Sequence, residues 1–412
     1  MYPENFVPLP DPPSNYIGPK YFFDLDPNIQ DNFDFLIKII SDTEDHFPER
    51  FDRESDLAVK LVLNEDEFSE GEDLIEVYGD FANYRKKTRS PKSSDSKSIV
   101  SIPHSLKDAI LSFILTIAVR KIRSERDPKL NEMQRHNTML IHISRFSNWQ
   151  NRIKLLLTDD NHNGYLDQVL MKLGMDNKGE GIYSDFERVW NYYYSDIVGN
   201  LNGVMKNFYY DPYIQKEDLN NIFRVLPSIA RDGIAVMSIN TTTKNTDILD
   251  YNGKVGKNYI AIGGNRLSRG FTLEGLSISY FTRATGYADA ILQMGRWFGY
   301  RPGYLDCCRL FSDSSSHRKF SECVSILYDL EKDIKQHMAD VVSDPKKIVN
   351  RIKATSGEFI KITRPNILRN SDLAYFSFSN KLVQTYRFDL NKDGQLISWK
   401  NFLDFFEKYK AN

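Results

Sequence analysis

Nowhere in the 412 residues does a Gly-x-x-x-x-Gly-Lys run end in Ser or Thr. Without that loop and its lysine a chain has no cradle for the β- and γ-phosphates of a nucleotide. The nearest approaches, Gly253-Lys254 and Gly256-Lys257, are followed by Val and Asn. Cysteine is scarce, with only Cys307, Cys308 and Cys323. An odd, sparse set excludes a disulfide framework and points to a reducing compartment. It also leaves no zinc-ligand spacing, and no metal site is expected. No apolar run approaches the roughly 18 residues a membrane helix needs. The opening MYPENFVPLPDPPSNYIGP lacks a signal-peptide pattern. These absences predict a soluble, cytoplasmic chain with no membrane partner. The formal net charge of −2 excludes a global basic field, so any contact with nucleic acid must come from local patches.

What is present divides into three stretches. Residues 1–100 open on a proline-studded arm with aromatic pegs at Tyr16, Tyr21, Phe22 and Phe23, in the manner of an interdomain linker. Residues 26–85 read as acidic, amphipathic helix. The basic run 85–98, RKKTRSPKSSDSKS, reads as a solvated loop, with a backbone-touching arm as the sharper alternative. Residues 101–312 alternate helices with short apolar runs. A helix over Ile102–Ile122 places Leu106, Ile110, Phe113, Ile114 and Ile117 at helical spacing. Strands are expected at Met139–Ser144, Gly233–Ile239, Asn258–Gly263, Leu276–Phe281 and Leu305–Phe311, with helices at Trp149–Leu157 and Tyr287–Phe298 and a helical insertion over 160–225. This pattern predicts an α/β fold with a parallel sheet. Residues 313–412 read as a small helical and mixed appendage.

The informative stretch runs from Asn258 to Phe311. Strand NYIAIG feeds the loop NRLSRGFTLEGL, bracketed by Gly263, Gly264, Gly270 and Gly275. Glycines let a backbone approach a ligand closely, and parallel sheets bind ligands at their carboxyl edge. Gly264, Arg266, Ser268, Arg269, Gly270 and Thr272 are therefore candidate cofactor-binding residues. The next helix carries Gln293, Arg296 and Arg301. Arginine is always charged and forked, which suits it to phosphate oxygens, so these three are the candidate catalytic set. Cys307 and Cys308 read as small core fillers.

Taken together, RGFTLEGL, QMGRWFGYR and MLIHISRF resemble the fifth, sixth and fourth motifs of superfamily 2 helicases. More closely, LSRGFTLEGL, LQMGRWFGYRPGYLDCCRLF, SIPHSLKDAI and MLIHISRFSNWQ resemble the Z-one domain family, a prokaryotic helicase-like group credited with endonuclease activity. That resemblance implies a RecA-like sheet, the carboxyl-terminal lobe of a helicase. It implies ATP and Mg²⁺ as cofactors, bound only together with a first RecA-like lobe on a missing part or a separate chain. It implies DNA as substrate, work in restriction or phage defence, and neighbours such as a GHKL-type ATPase and a restriction-fold nuclease. Two departures stand out: Thr272 replaces the usual acidic residue, and Arg296 lies three after Gln293 where four is usual. Which arginine is the finger stays open between Arg296 and Arg301. Alone, the chain is expected to hydrolyse no ATP. The alternative is a non-catalytic DNA-binding or scaffold module.

Other stretches imitate sites. Asp159–Gly164 and Asp389–Gly394 resemble calcium loops, but their twelfth positions are Leu170 and Lys400 where a bidentate Glu is needed. LVLNEDE (61–67) reads as an acidic helix face. His142 reads as a core histidine. Asp329, Glu331, Asp333 and Lys335, the acids sought for an endonuclease, fall on one helical run and read as a solvated face.

Overall fold

A computed structural model describes residues 16–23, 34–59, 87–175, 181–205, 210–240, 249–253, 255–268, 272–282, 291, 293–295, 299–343, 399–400 and 403. The chain divides into two compact units, Met1–Arg364 and Pro365–Asn412. In the second, only helical positions 399, 400 and 403 are described.

The first unit is built on a six-stranded, wholly parallel sheet. In chain order the strands are β1 (Tyr16–Ile17), β2 (Ile37–Ile40), β3 (Arg50–Asp52), β4 (Ala58–Val59), β5 (Thr88–Arg89), β6 (Asn137–His142), β7 (Ala235–Ile239), β8 (Asn258–Gly263), β9 (Leu276–Phe281), β10 (Gly299–Tyr300) and β11 (Arg309–Asp313). The large sheet has the order β2-β11-β9-β6-β8-β7. β3, β4 and β5 form a small antiparallel sheet, and β1 pairs with β10. The helices are α1 (Lys20–Phe23), α2 (His104–Arg126), α3 (Pro128–Met133), α4 (Ser147–Leu157), α5 (Tyr165–Gly174), α6 (Gly181–Tyr193), α7 (Ile197–Met205), α8 (Leu219–Asp232), α9 (Asn265–Ser268) and α10 (Ser314–Ser343).

The central strands are apolar on both faces because both faces are covered. Met139 and Ile141 of β6 join the larger core with Ile260 and Ile262 of β8. The alternate residues Leu140, Tyr259 and Ala261 join a smaller core with Leu267 and Leu276. Side chains on successive strand residues point to opposite faces, which assigns each set to its own core. Helix α2 lies in the larger core and packs on β9, α6 and α8. No helix among the described residues is long and apolar enough to cross a membrane. Even α2, buried along most of its length, carries Asp108, Arg120 and Arg123 inside.

Two expectations are corrected. The segment 26–85, read as helix, supplies β2, β3 and β4 where it is described. Its acidic residues dominate the local pattern, yet Ile37 and Ile40 are buried and β2 completes the sheet beside β11, 269 residues or more further on. The run 87–98 is no plain solvated loop either. Thr88 is fully buried, and Arg89 is held between Asp56 and Asp95 at 2.7 Å each. Two of the aromatic pegs pack onto later parts of the chain: Phe23 stacks on Phe320 at 5.1 Å, and Tyr16 meets Tyr300 edge-on. The last strand starts at Arg309, after a 3-10 turn over Leu305–Cys307.

Two strand ends cap helices. Asp313 accepts from the backbone N–H and hydroxyl of Ser316 in the first turn of α10. Asp42, just past β2, accepts from the N–H and hydroxyl of Ser105 at 2.8 and 2.5 Å, and that hydroxyl also meets the Tyr280 hydroxyl. A carboxylate at this end satisfies an orphan N–H and complements the helix dipole. Asp42→Ala is expected to cost about 1–2 kcal/mol, read as a lowered denaturant midpoint. A loss below about 0.3 kcal/mol would show that the cap does not matter.

Candidate functional site

The connections leaving the sheet part between β6 and β9. The chain leaving β6 goes to β7 at one edge, and the chain leaving β9 goes to β11 on the other side. In parallel sheets the carboxyl ends of two such strands leave a crevice between their diverging connections, and ligands bind there. Here that topological position lies between His142–Arg145 at the end of β6 and Phe281–Thr282 at the end of β9, which are bridged by Thr282 N–H donating to the His142 carbonyl at 3.2 Å. The Thr282 hydroxyl is buried without a hydrogen-bond partner.

The end of β8 adjoins this crevice. Gln150, 2% exposed, donates its amide to the Ser144 carbonyl at 2.8 Å. A Cβ on Gly264 would stand 2.8 Å from the same amide nitrogen, and one on Gly263 would stand 2.2 Å from Leu267. The paired glycines thus bring their backbone against the protein's own Gln150 and Leu267. The Gln150 carbonyl oxygen is buried and lacks a partner, a cost unless a donor arrives there. Arg266 leaves the turn and donates to the Asn240 carbonyl at 2.6 Å, linking β8 to the end of β7. Asn240 and Ser238 in turn meet the Asn151 side chain on α4. Arg145 lies exposed over the Phe146 ring, 4.9 Å from its centroid.

The candidate residues do not all gather here. Gly264, Arg266 and the backbone of Ser268 lie at the carboxyl edge, in or just after β8. Thr272 is exposed three residues before Gly275, where the chain has crossed to the amino edge to start β9. Gln293 is half-buried on a helical stretch, with Gly295 N–H bonded to the Ile291 carbonyl. Arg269, Gly270, Arg296, Trp297 and Phe298 lie outside the described residues, as do the Asp389–Gly394 and 61–67 stretches. Arg301 lies near the amino edge: its guanidinium is 5.8 Å from the Tyr304 ring and close enough to Cys308 and Arg120 to act on both electrostatically. Strands of six residues are roughly 20 Å long, so Arg301 is separated from Gly264 by about the thickness of the sheet's long axis. Gly264 and Arg301 belong to opposite edges of the sheet.

At that amino edge sits a set of buried arginines that sequence reading missed. Arg120 donates to three carbonyls, of Gly275, Gln134 and His136, at 2.9–3.0 Å. It also lies 4.3 Å from the Tyr304 ring. Burial lowers its pKa from the arginine norm. Arg123 pairs with Asp306 and Glu217. Arg309 donates to the carbonyls of Asp306, Cys308 and Tyr193 and stacks on Tyr194. The signal was present in α2: buried Asp108, Ser112, Thr116 and Arg120 recur every four residues along a helix whose other buried positions are mostly apolar. Asp108 takes Arg188 in a two-point grip at 2.6 and 3.1 Å. Cys307 and Cys308 are buried, and desolvation raises both thiol pKa values. They pack as core fillers. Asp159 closes a turn by accepting from the N–H groups of Asn161 and Asn163, which is turn chemistry.

The fold defines a parallel α/β protein whose sheet connections part between β6 and β9. The chain belongs to the Z1 domain family: the family model matches residues 105–359. That match starts in the first turn of α2 and spans five strands of the sheet, leaving β2 outside it. No curated protein and no solved structure matches the chain.

Proposed function

We propose that this chain is the carboxyl-terminal, RecA-like half of an ATP-dependent, helicase-like enzyme that acts on DNA in prokaryotic restriction or phage defence. The observation that carries this reading is the Gly263-Gly264-Asn265-Arg266 turn at the end of β8, beside the crevice where the sheet's connections part. A triphosphate with its Mg²⁺ would be gripped by a phosphate-binding loop on another polypeptide or segment, since no such run stands in these 412 residues. This chain would contribute cations from the opposite side. Arg266 and Arg296 are the residues we assign to that role, together with Gln293, Ser268 and Arg269. Arg301 is set aside because it stands near the amino edge. A guanidinium placed against the transferring phosphoryl group stabilises the charge that builds there, and such fingers contribute roughly 10³–10⁵ in rate.

The test is phosphate release. The purified chain is expected to hydrolyse no ATP by itself. Combined with a polypeptide that carries the phosphate-binding loop, it should show DNA-stimulated ATPase, and Arg296→Ala should lower that rate by about 10³ or more. Hydrolysis by the chain alone, or a combined rate indifferent to both Arg296→Ala and Arg266→Ala, would overturn the reading.

A further inference from the structure

The basic segment that follows β5 lies along α4, the helix that also packs on β7 and β8. The segment 92–99 lies against the first turns of α4. Trp149 donates its indole N–H to the Lys92 carbonyl at 2.9 Å, and Arg152 donates to the Ile99 carbonyl at 2.8 Å. These two bonds hold the basic run beside the strand end that carries Arg145. Residues 87–98 and 137–158 together contain Lys87, Arg89, Lys92, Lys97, Arg145, Arg152 and Lys154 against the single acid Asp95. In a chain whose overall charge is −2, that is a strong local imbalance.

The one acid is already used. Asp95 accepts from Arg89 at 2.7 and 3.0 Å and from the Lys92 backbone N–H at 2.7 Å, while Asp56 takes the other side of Arg89. The Arg89 hydrogen bonds hold the Asp95 carboxyl below its ordinary pKa. Asp95 and Asp56 both engage Arg89, a cluster that carries one net negative charge, and Lys92, Lys97 and Arg145 all stand exposed. Around them stand exposed Ser90, Ser94, Ser98 and Asn148, which are small hydrogen-bonding groups. The run 87–98 contains no aliphatic or aromatic anchor apart from its proline. Cations with hydroxyls and amides, and no apolar anchor, suit the sugar–phosphate backbone of a nucleic acid, which such groups position without reading sequence.

We propose that DNA docks by its phosphate backbone on this surface, with Lys92, Lys97 and Arg145 as its contacts, next to the crevice between β6 and β9. The inference rests on the DNA-acting reading above and deepens it by naming the surface. Local fixing of the basic run matters to it. A free tail would lose its conformational freedom on binding, whereas here the hydrogen bonds from Trp149 and Arg152 have already ordered the backbone.

The test uses the full chain and a fluorescent single-stranded oligonucleotide, with anisotropy followed as salt is raised. Wild type is expected to bind with a steep salt dependence. The double variant K92E/R145E should bind about tenfold or more weakly, with the slope of log K against log salt reduced by about 0.7 for each lost contact. Lys129→Glu, on exposed α3 by the amino edge, should bind as wild type, and unchanged melting curves will show that all three proteins are folded. Absence of wild-type binding at low salt, indifference to K92E/R145E, an equal loss in Lys129→Glu, or binding to anionic vesicles without binding to DNA would each overturn the surface. Nucleotide binding is followed separately with a fluorescent ATP analogue in the presence of the loop-bearing polypeptide. DNA binding that ignores the two reversals sinks this surface and leaves the nucleotide reading standing. DNA binding on this surface without nucleotide binding does the reverse.

Discussion

Arg123→Ala is expected to cost about 3–5 kcal/mol of stability, the largest loss from any single side chain in the described structure. All five donors of this guanidinium are used. Nη1 reaches Asp306 Oδ1 at 2.7 Å and the Gly303 carbonyl at 2.9 Å. Nη2 reaches Asp306 Oδ2 at 2.8 Å and the Gln215 carbonyl at 2.7 Å, and Nε reaches Glu217 at 3.3 Å. Arginine is 2% exposed here and Asp306 4%. Removing the arginine leaves the buried Asp306 carboxylate and the buried Gly303 carbonyl without these donors, and that residue of unpaired charge is what makes the cost high. Glu217 suffers less, because Arg126 also holds it at 2.8 Å. Arg123→Lys should recover little, since one ammonium cannot reproduce a planar fork. The double variant R123M/D306L should be more stable than Arg123→Ala, because it removes the stranded carboxylate with its partner. Urea unfolding of the three proteins decides this. A single-variant loss under about 1 kcal/mol would mean that water reaches the pair in solution.

Gly275→Ala is the second large effect. Gly275 has φ +64°, and a Cβ there would stand 1.8 Å from the His136 carbonyl oxygen and 3.0 Å from Arg120 Nη1. The left-handed backbone alone costs an L-residue roughly 1–2 kcal/mol, and the clash is with backbone, which no rotamer relieves. The same carbonyls are the ones Arg120 gathers, and Thr138 N–H also donates to the Gly275 carbonyl at 3.1 Å. Forcing them apart would separate the amino ends of β6 and β9. We expect a loss of about 3 kcal/mol or more, seen as a fall in soluble yield and in melting temperature. Gly253→Ala is the control: its nearest neighbour is 3.8 Å away, and it should stay within about 0.5 kcal/mol of wild type. Equal stability of the two variants would show that β9 can shift without cost.

These two effects mark the limit of what could be read from the chain as letters. Gly275 was expected to help a ligand approach. It is instead required where two strands begin, and only the position of His136, far back in the chain, reveals that. Arg123 reads locally as the basic end of a helix, yet its partner Asp306 lies 183 residues away. The same holds for β2, whose four residues pair with β11 from a far later part of the chain.

By itself the sequence determined the α/β class, the core strands from β6 to β9, the long helix α2 and the family, because apolar periodicity and short motifs are recorded within a few neighbouring residues. It also determined the lack of a phosphate-binding loop. Only the tertiary structure decided which strand closes the sheet, which arginines are buried in pairs, which edge each candidate residue occupies, and that the basic run is fastened to α4. Those outcomes depend on contacts between residues far apart in sequence, whose energies no local pattern encodes.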